Sequence, residues 1–114
     1  MQVSQLDIQQ GRIKLFLYKS KVRSALYGGN IDESFFSQGG PMGEWLTRTG
    51  LPKYGSIPEM KQIARLNREL SSFVDQLIFS YKRGRIQEAK DGLAMVDKYS
   101  EEILALFTAM EKLK

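Results

Sequence analysis

Apolar positions along this chain repeat with the period of a helix, and no stretch alternates with the period of a strand. The clearest segment runs from Ser56 to Tyr81. Met60, Ile63, Leu70, Val74, Leu77 and Tyr81 form the seam of a helix packed against other helices, in alternating three- and four-residue steps. One member of the seam is polar: Asn67 stands between Ile63 and Leu70. Ser71, one turn on, is polar on nearly the same face, because side chains four apart stack along a helix. Ser56 and Glu59 have the S-x-x-E spacing of a capping box at the start of this helix. Pro58 falls in its first turn, where a missing N–H is harmless. Lys82 or Arg83, followed by Gly84, marks its end.

Residues 5–27 form another long helix. Leu15, Tyr18, Val22, Ala25 and Leu26 make its stripe, and Ile13, Phe16 and Leu17 are expected to widen that apolar face. Lys14, Lys19, Lys21 and Arg23 take the solvated remainder. Gly28-Gly29 ends the helix, and Asn30 or Asp32 caps a short one through Phe35 and Phe36. Gly39-Gly40-Pro41 is a break that introduces PMGEWLTRTG, a helix of two or three turns whose Met42, Trp45 and Leu46 face the core. Gly50 ends that piece, and LPKYG is a loop containing Tyr54. The last helix begins near Arg85 or Ile86. Its seam is Ile86, Ala89, Leu93, Val96, Ser100, Ile103, Phe107 and Met110, and Gly92 within it suits a close approach of another element. The pattern predicts one all-α domain over residues 1–114: an antiparallel four-helix-type bundle with three long helices and a short helical segment between the first and second of them.

Composition then removes much chemistry. The chain has 114 residues, enough for a core without staples, and contains no Cys and no His. Disulfides and thiol chemistry are excluded, the two commonest zinc ligands are missing, and so is the usual acid–base side chain near neutral pH. Glu59, Glu69, Asp75, Glu88, Asp91, Asp97, Glu101 and Glu102 are interspersed with Lys and Arg, which fits solvated helix faces rather than a catalytic pair. No phosphate-binding glycine motif is present. A non-enzymatic protein without a cofactor is the expectation. No apolar run approaches the roughly 18 residues that span a membrane, and the polar start MQVSQLDIQQ does not read as a secretory signal. A cytoplasmic location follows as an expectation. The formal net charge is +4. Much of the excess sits early, where Arg12, Lys14, Lys19, Lys21 and Arg23 have only Asp7 nearby. These form a candidate basic surface for an acidic protein or nucleic acid. Nucleic acid is the weaker reading, because no recognition-helix pattern or aromatic-rich loop accompanies them.

Several segments gain meaning together. Leu15-Phe16-Leu17-Tyr18-Lys19 lies in the first helix. Gly40-Pro41-Met42-Gly43-Glu44-Trp45 opens the short one. The stretch GLPKYGSIPEM from Gly50 to Met60 includes Tyr54 and Pro58, and Asn67-Arg68-Glu69-Leu70-Ser71 lies in the central helix. In order and spacing these resemble the chemoreceptor zinc-binding (CZB) domain family over nearly the whole chain. That family carries His-x-x-Trp-Lys, Cys-x-Leu-Gly-Lys-Trp and His-x-x-Leu-His patterns, and its three His and one Cys bind zinc. The resemblance makes Tyr18, Lys19, Gly43, Trp45, Tyr54 and Pro58 framework positions. It places Leu15, Gly40, Asn67 and Ser71 at the four ligand positions, all of them replaced. It implies a degenerate, metal-free helical module of bacterial chemotaxis-type signalling that has a protein partner and forms a homodimer.

For the polar seam, the plainest expectation is a repacked core. Asn67 is hydrogen-bonded in it, Ser71 bonds the carbonyl four residues earlier, and Leu15 fills the volume vacated by imidazole and metal. Two alternatives stay open: a small-ligand pocket lined by Asn67, Ser71 and Trp45, or an Asn that sets register at a helix interface.

Overall fold

The spine of the structure, a computed structural model describing residues 3–113, is the central helix Pro58–Lys82 (α5). Around it pack α1 (Gln5–Leu26) and α7 (Leu93–Glu111), with the short helices α2 (Glu33–Phe36), α3 (Gly40–Trp45), α4 (Leu51–Tyr54) and α6 (Ile86–Asp91) in the connections. The result is the expected all-α bundle of three long helices, and no strand occurs among the described residues. The core lies where α1, α5 and α7 meet: Ile63, Leu70 and Val74 from α5, Leu15, Val22 and Leu26 from α1, and Ile103, Phe107 and Met110 from α7 are all fully or nearly fully buried.

Several boundaries follow from local chemistry as expected. Asp32 caps α2, its carboxylate accepting from the Phe35 N–H at 3.2 Å. The stops after α1 and α5 use left-handed backbone at Gly28 (φ 96°) and Gly84 (φ 85°). Ser4, not singled out in the sequence, caps α1, accepting from the Asp7 N–H at 3.3 Å.

Elsewhere the structure corrects the sequence reading. Ser56 and Glu59 do not form a capping box: the N-cap of α5 is Ile57, in extended conformation (φ −79°, ψ 128°), without a side-chain cap bond. The reason is Pro58. A proline disfavours helical backbone in the residue before it, so Ile57 cannot be the first helical residue that a Ser56 cap would require. Gly50 does not end its helix, and LPKYG is not a loop. α3 continues through a π-helical turn, Leu46–Gly50, into α4, and Gly50 keeps right-handed backbone (φ −61°). Its lack of a side chain serves packing: a Cβ there would lie 2.7 Å from the Trp45 ring and 3.1 Å from the Met60 sulfur. The last helix is broken at Gly92 into α6 and α7. A Cβ on Gly92 would collide with the Leu77 methyls, so the close approach is real. Ile86, placed on the seam by its spacing, is exposed. Ile13, Phe16 and Leu17 do not widen the buried face of α1 but stand exposed on its far side. No helix among the described residues is long and apolar enough to cross a membrane.

Candidate functional site

The polar step in the seam of α5 opens onto a cleft. Asn67 and Ser71 line a space of about 550 Å³ together with Gly39, Gly43, Arg68 and Asp75. The wall opposite α5 is the turn before α3. Gln38 there takes left-handed backbone (φ 54°), and Gly39 (φ 83°) and Gly40 (φ 66°) follow it. Such a run is costly for ordinary residues and brings main chain against the central helix. The approach is close: a Cβ on Gly39 would lie 2.9 Å from the Asn67 amide nitrogen.

Asn67 is 3% exposed, and its Oδ1 is buried without any hydrogen-bond partner. The expected hydrogen-bonded Asn is therefore not found. The Tyr18 hydroxyl is also buried and unpartnered, and burial pushes its pKa up to about 12. Ser71 lies near enough to oppose that rise in part, without reaching hydrogen-bond geometry. The bond to a carbonyl four residues back, expected of Ser71, is made instead by buried Ser100, whose Oγ donates to the Val96 carbonyl at 2.9 Å.

The four replaced ligand positions do not all converge on this space. Asn67 and Ser71 share the cleft. Gly40 abuts Tyr18 so tightly that any Cβ would collide with the ring. Leu15 is buried in the core and does not line the cleft. Of the framework positions, Gly43 lines the cleft, and Pro58 is the first residue of α5. Lys19 pairs with Asp97 at 3.0 Å. Trp45 points elsewhere, packing edge-on to Phe107 with centroids 5.5 Å apart, so it is not a cleft residue; its indole N–H is buried and unpartnered.

These residues do not fit a zinc ion. Leu15 and Gly40 offer no donor atom, neutral Asn67 and Ser71 are poor zinc ligands, and the Tyr18 ring occupies the place a ligating side chain at position 40 would need. Among the described residues, no three His, Cys, Asp or Glu side chains gather in a way that could hold a metal.

The basic surface is partly spent within the chain. Arg12 bonds Glu111 and Thr108, while Lys19 and Arg23 share Asp97. Lys14 and Lys21 are in no ion pair among the described residues.

One polar cluster was not visible in the sequence. Asp7 is buried and accepts from the Tyr54 hydroxyl at 2.6 Å and from Lys53 Nζ at 3.1 Å, and the Tyr54 oxygen accepts from the Ser4 N–H at 3.1 Å. The Tyr54 bond, then Lys53, hold the Asp7 carboxyl below the usual range, against the opposing effect of burial. Burial and the bond to Asp7 raise the Tyr54 phenol. The partners are about 47 residues apart in sequence, a distance no local pattern reports.

Comparison with known protein families, with curated proteins and with solved structures gave no match to this chain.

Proposed function

We propose that this protein is a non-enzymatic sensory or regulatory module of a bacterial signalling system, related to the CZB domains but without their metal. In this reading it responds to a small polar molecule in the Asn67 cleft and acts on a protein partner through its helical surfaces, in the cytoplasm. The observation that carries the reading is the unpartnered Asn67 Oδ1 beside an open cleft. A buried polar atom without a partner costs about 1–3 kcal/mol. A leucine of similar size would avoid that cost, so an amide kept in the wall of a cavity supports a polar guest, which the side chain would meet by turning its buried Oδ1 toward the cleft. The guest needs no chemistry from the chain. The acids of the helices are dispersed, and the cleft holds no nucleophile paired with a base. A homodimer belongs to the same reading, as one way such a module completes itself.

The test has two arms. Elemental analysis after chelator-free purification is expected to find no stoichiometric zinc, and tightly held zinc would overturn the metal-free reading. Amide NMR with acetamide as the probe is expected to shift Gly39, Gly43, Asn67 and Ser71, and the shifts should vanish in Asn67→Leu. Shifts that persist in that variant, or none at these residues, would remove the cleft from the proposal.

A further inference from the structure

Helix α1 has two apolar faces. Ile8, Leu15, Tyr18, Val22 and Leu26 point into the core. At 3.6 residues per turn, the opposite side carries Leu6, Ile13, Phe16, Leu17 and Tyr27. All five are exposed, Phe16 at 68% and Ile13 at 57%. Scattered surface apolar residues need no explanation, but Ile13, Phe16 and Leu17 are direct neighbours at three- and four-residue steps, with Leu6 and Tyr27 toward the two ends of the same side and Gln9, Ser20 and Ser24 between. That side is also bordered. Arg12, Lys19 and Arg23 run along one edge and Lys14 and Lys21 along the other. A shallow hollow lies along α1 itself, lined by Phe16, Lys19, Ser20, Arg23, Ser24 and Tyr27, and a groove of about 530 Å³ runs beside the other edge, lined by Lys14, Leu17 and Phe35.

We infer that the outer face of α1 is the docking surface for an amphipathic helix of a partner protein, with an apolar seam and acidic flanks. Charge chooses this occupant. An antiparallel second copy of α1 would set Lys14 and Lys21, which are in no ion pair among the described residues, against the same two lysines, which like-charge repulsion opposes. An acid-flanked helix meets Lys14 and Lys21 with opposite charge, and its side chains enter the groove beside Leu17. A flat anionic lipid surface fits less well, because Asp97 and Glu111 lie along one border and Glu44 lines the groove at the other. This inference rests on α1 alone and stands or falls separately from the Asn67 cleft.

The probe is a synthetic 21-residue helix with leucine at the seam and glutamate on both flanks, measured by fluorescence anisotropy on the full chain. It is expected to bind, and raising salt should weaken it. The double variant Ile13→Ser/Phe16→Ser should lose about tenfold or more in affinity while keeping its thermal midpoint, because neither side chain is in the core. Lys14→Glu/Lys21→Glu should lose affinity for this peptide and gain it for the lysine-flanked version. Equal binding of the two peptides by the unaltered chain would overturn the proposal, as would no binding of the glutamate-flanked one. It would likewise fall if Ile13→Ser/Phe16→Ser abolished either self-association seen by light scattering or adhesion to phosphatidylglycerol vesicles and left peptide binding intact.

Discussion

Two buried polar groups in this bundle are treated in opposite ways. Asp7 carries a full charge inside the fold, and the structure closes around it: Tyr54 and Lys53 bond the carboxylate, and Ser4 supplies the remaining bond to the Tyr54 oxygen. Asn67 carries no charge and would be far easier to satisfy, yet its Oδ1 has no partner, and the buried Tyr18 hydroxyl has none either. A closed network fixes the geometry of its elements; here it ties the start of α1 to α4. An unpartnered amide in the wall of a cleft costs stability without tying elements together. The contrast separates a polar cluster that builds the bundle from a polar side chain that does not.

The largest test removes the closure. Tyr54→Phe leaves the Asp7 carboxylate buried with only the exposed Lys53, and should cost about 2–3 kcal/mol in urea unfolding. A loss below about 0.5 kcal/mol would make the cluster no stronger than a surface ion pair. Next, Gly39→Ala should cost about 1–2 kcal/mol, because an L-residue at φ 83° is strained and its Cβ crowds the Asn67 amide. Asn67→Leu should do the reverse and stabilise by about 1 kcal/mol; destabilisation would mean that the amide is structurally required and that the contrast with Asp7 fails.

The smallest effects are read from pH. The Asp7 carboxyl sits below its ordinary 3.8 in the folded chain, so its contribution is present above that value and is lost as pH falls through the lower, folded one. Denaturant midpoints should drop on the acid side, and less so in Asp7→Asn. The Tyr18 phenol titrates near 10 when unfolded and near 12 when folded, so the folded state keeps its proton longer. Stability should therefore fall as pH rises from about 10 toward 12. Tyr18→Phe should flatten part of that slope, with Tyr54, also raised, supplying more of it.

How far the sequence reached can be judged residue by residue. The apolar period placed α1, α5 and the Leu93–Met110 seam, and the Gly28 and Gly84 stops were legible because a left-handed turn has a local signature. Asn67 and Ser71 stood out because they interrupt a periodic seam. The Ser56 cap failed by one residue because Pro58 acts backward on Ile57. Trp45 faces the core as its spacing predicts, and only the alternative that put it in the cleft fails, because its packing partner there is Phe107, a residue from the far end of the chain.

The sequence by itself determined that the chain is helical, where its long helices run, that it lacks thiol and imidazole chemistry, and that one polar step breaks its central seam. These are properties of neighbours within a few residues, where helical period, backbone preference and side-chain type act directly. Only the tertiary structure decided which apolar face of α1 is buried, since Leu15 and Phe16 are equally apolar and differ only in what packs against them. It also decided that Asp7 finds Tyr54 while Asn67 finds nothing. Burial and hydrogen bonding are settled between segments distant in the chain, and no local pattern contains the other half of the contact.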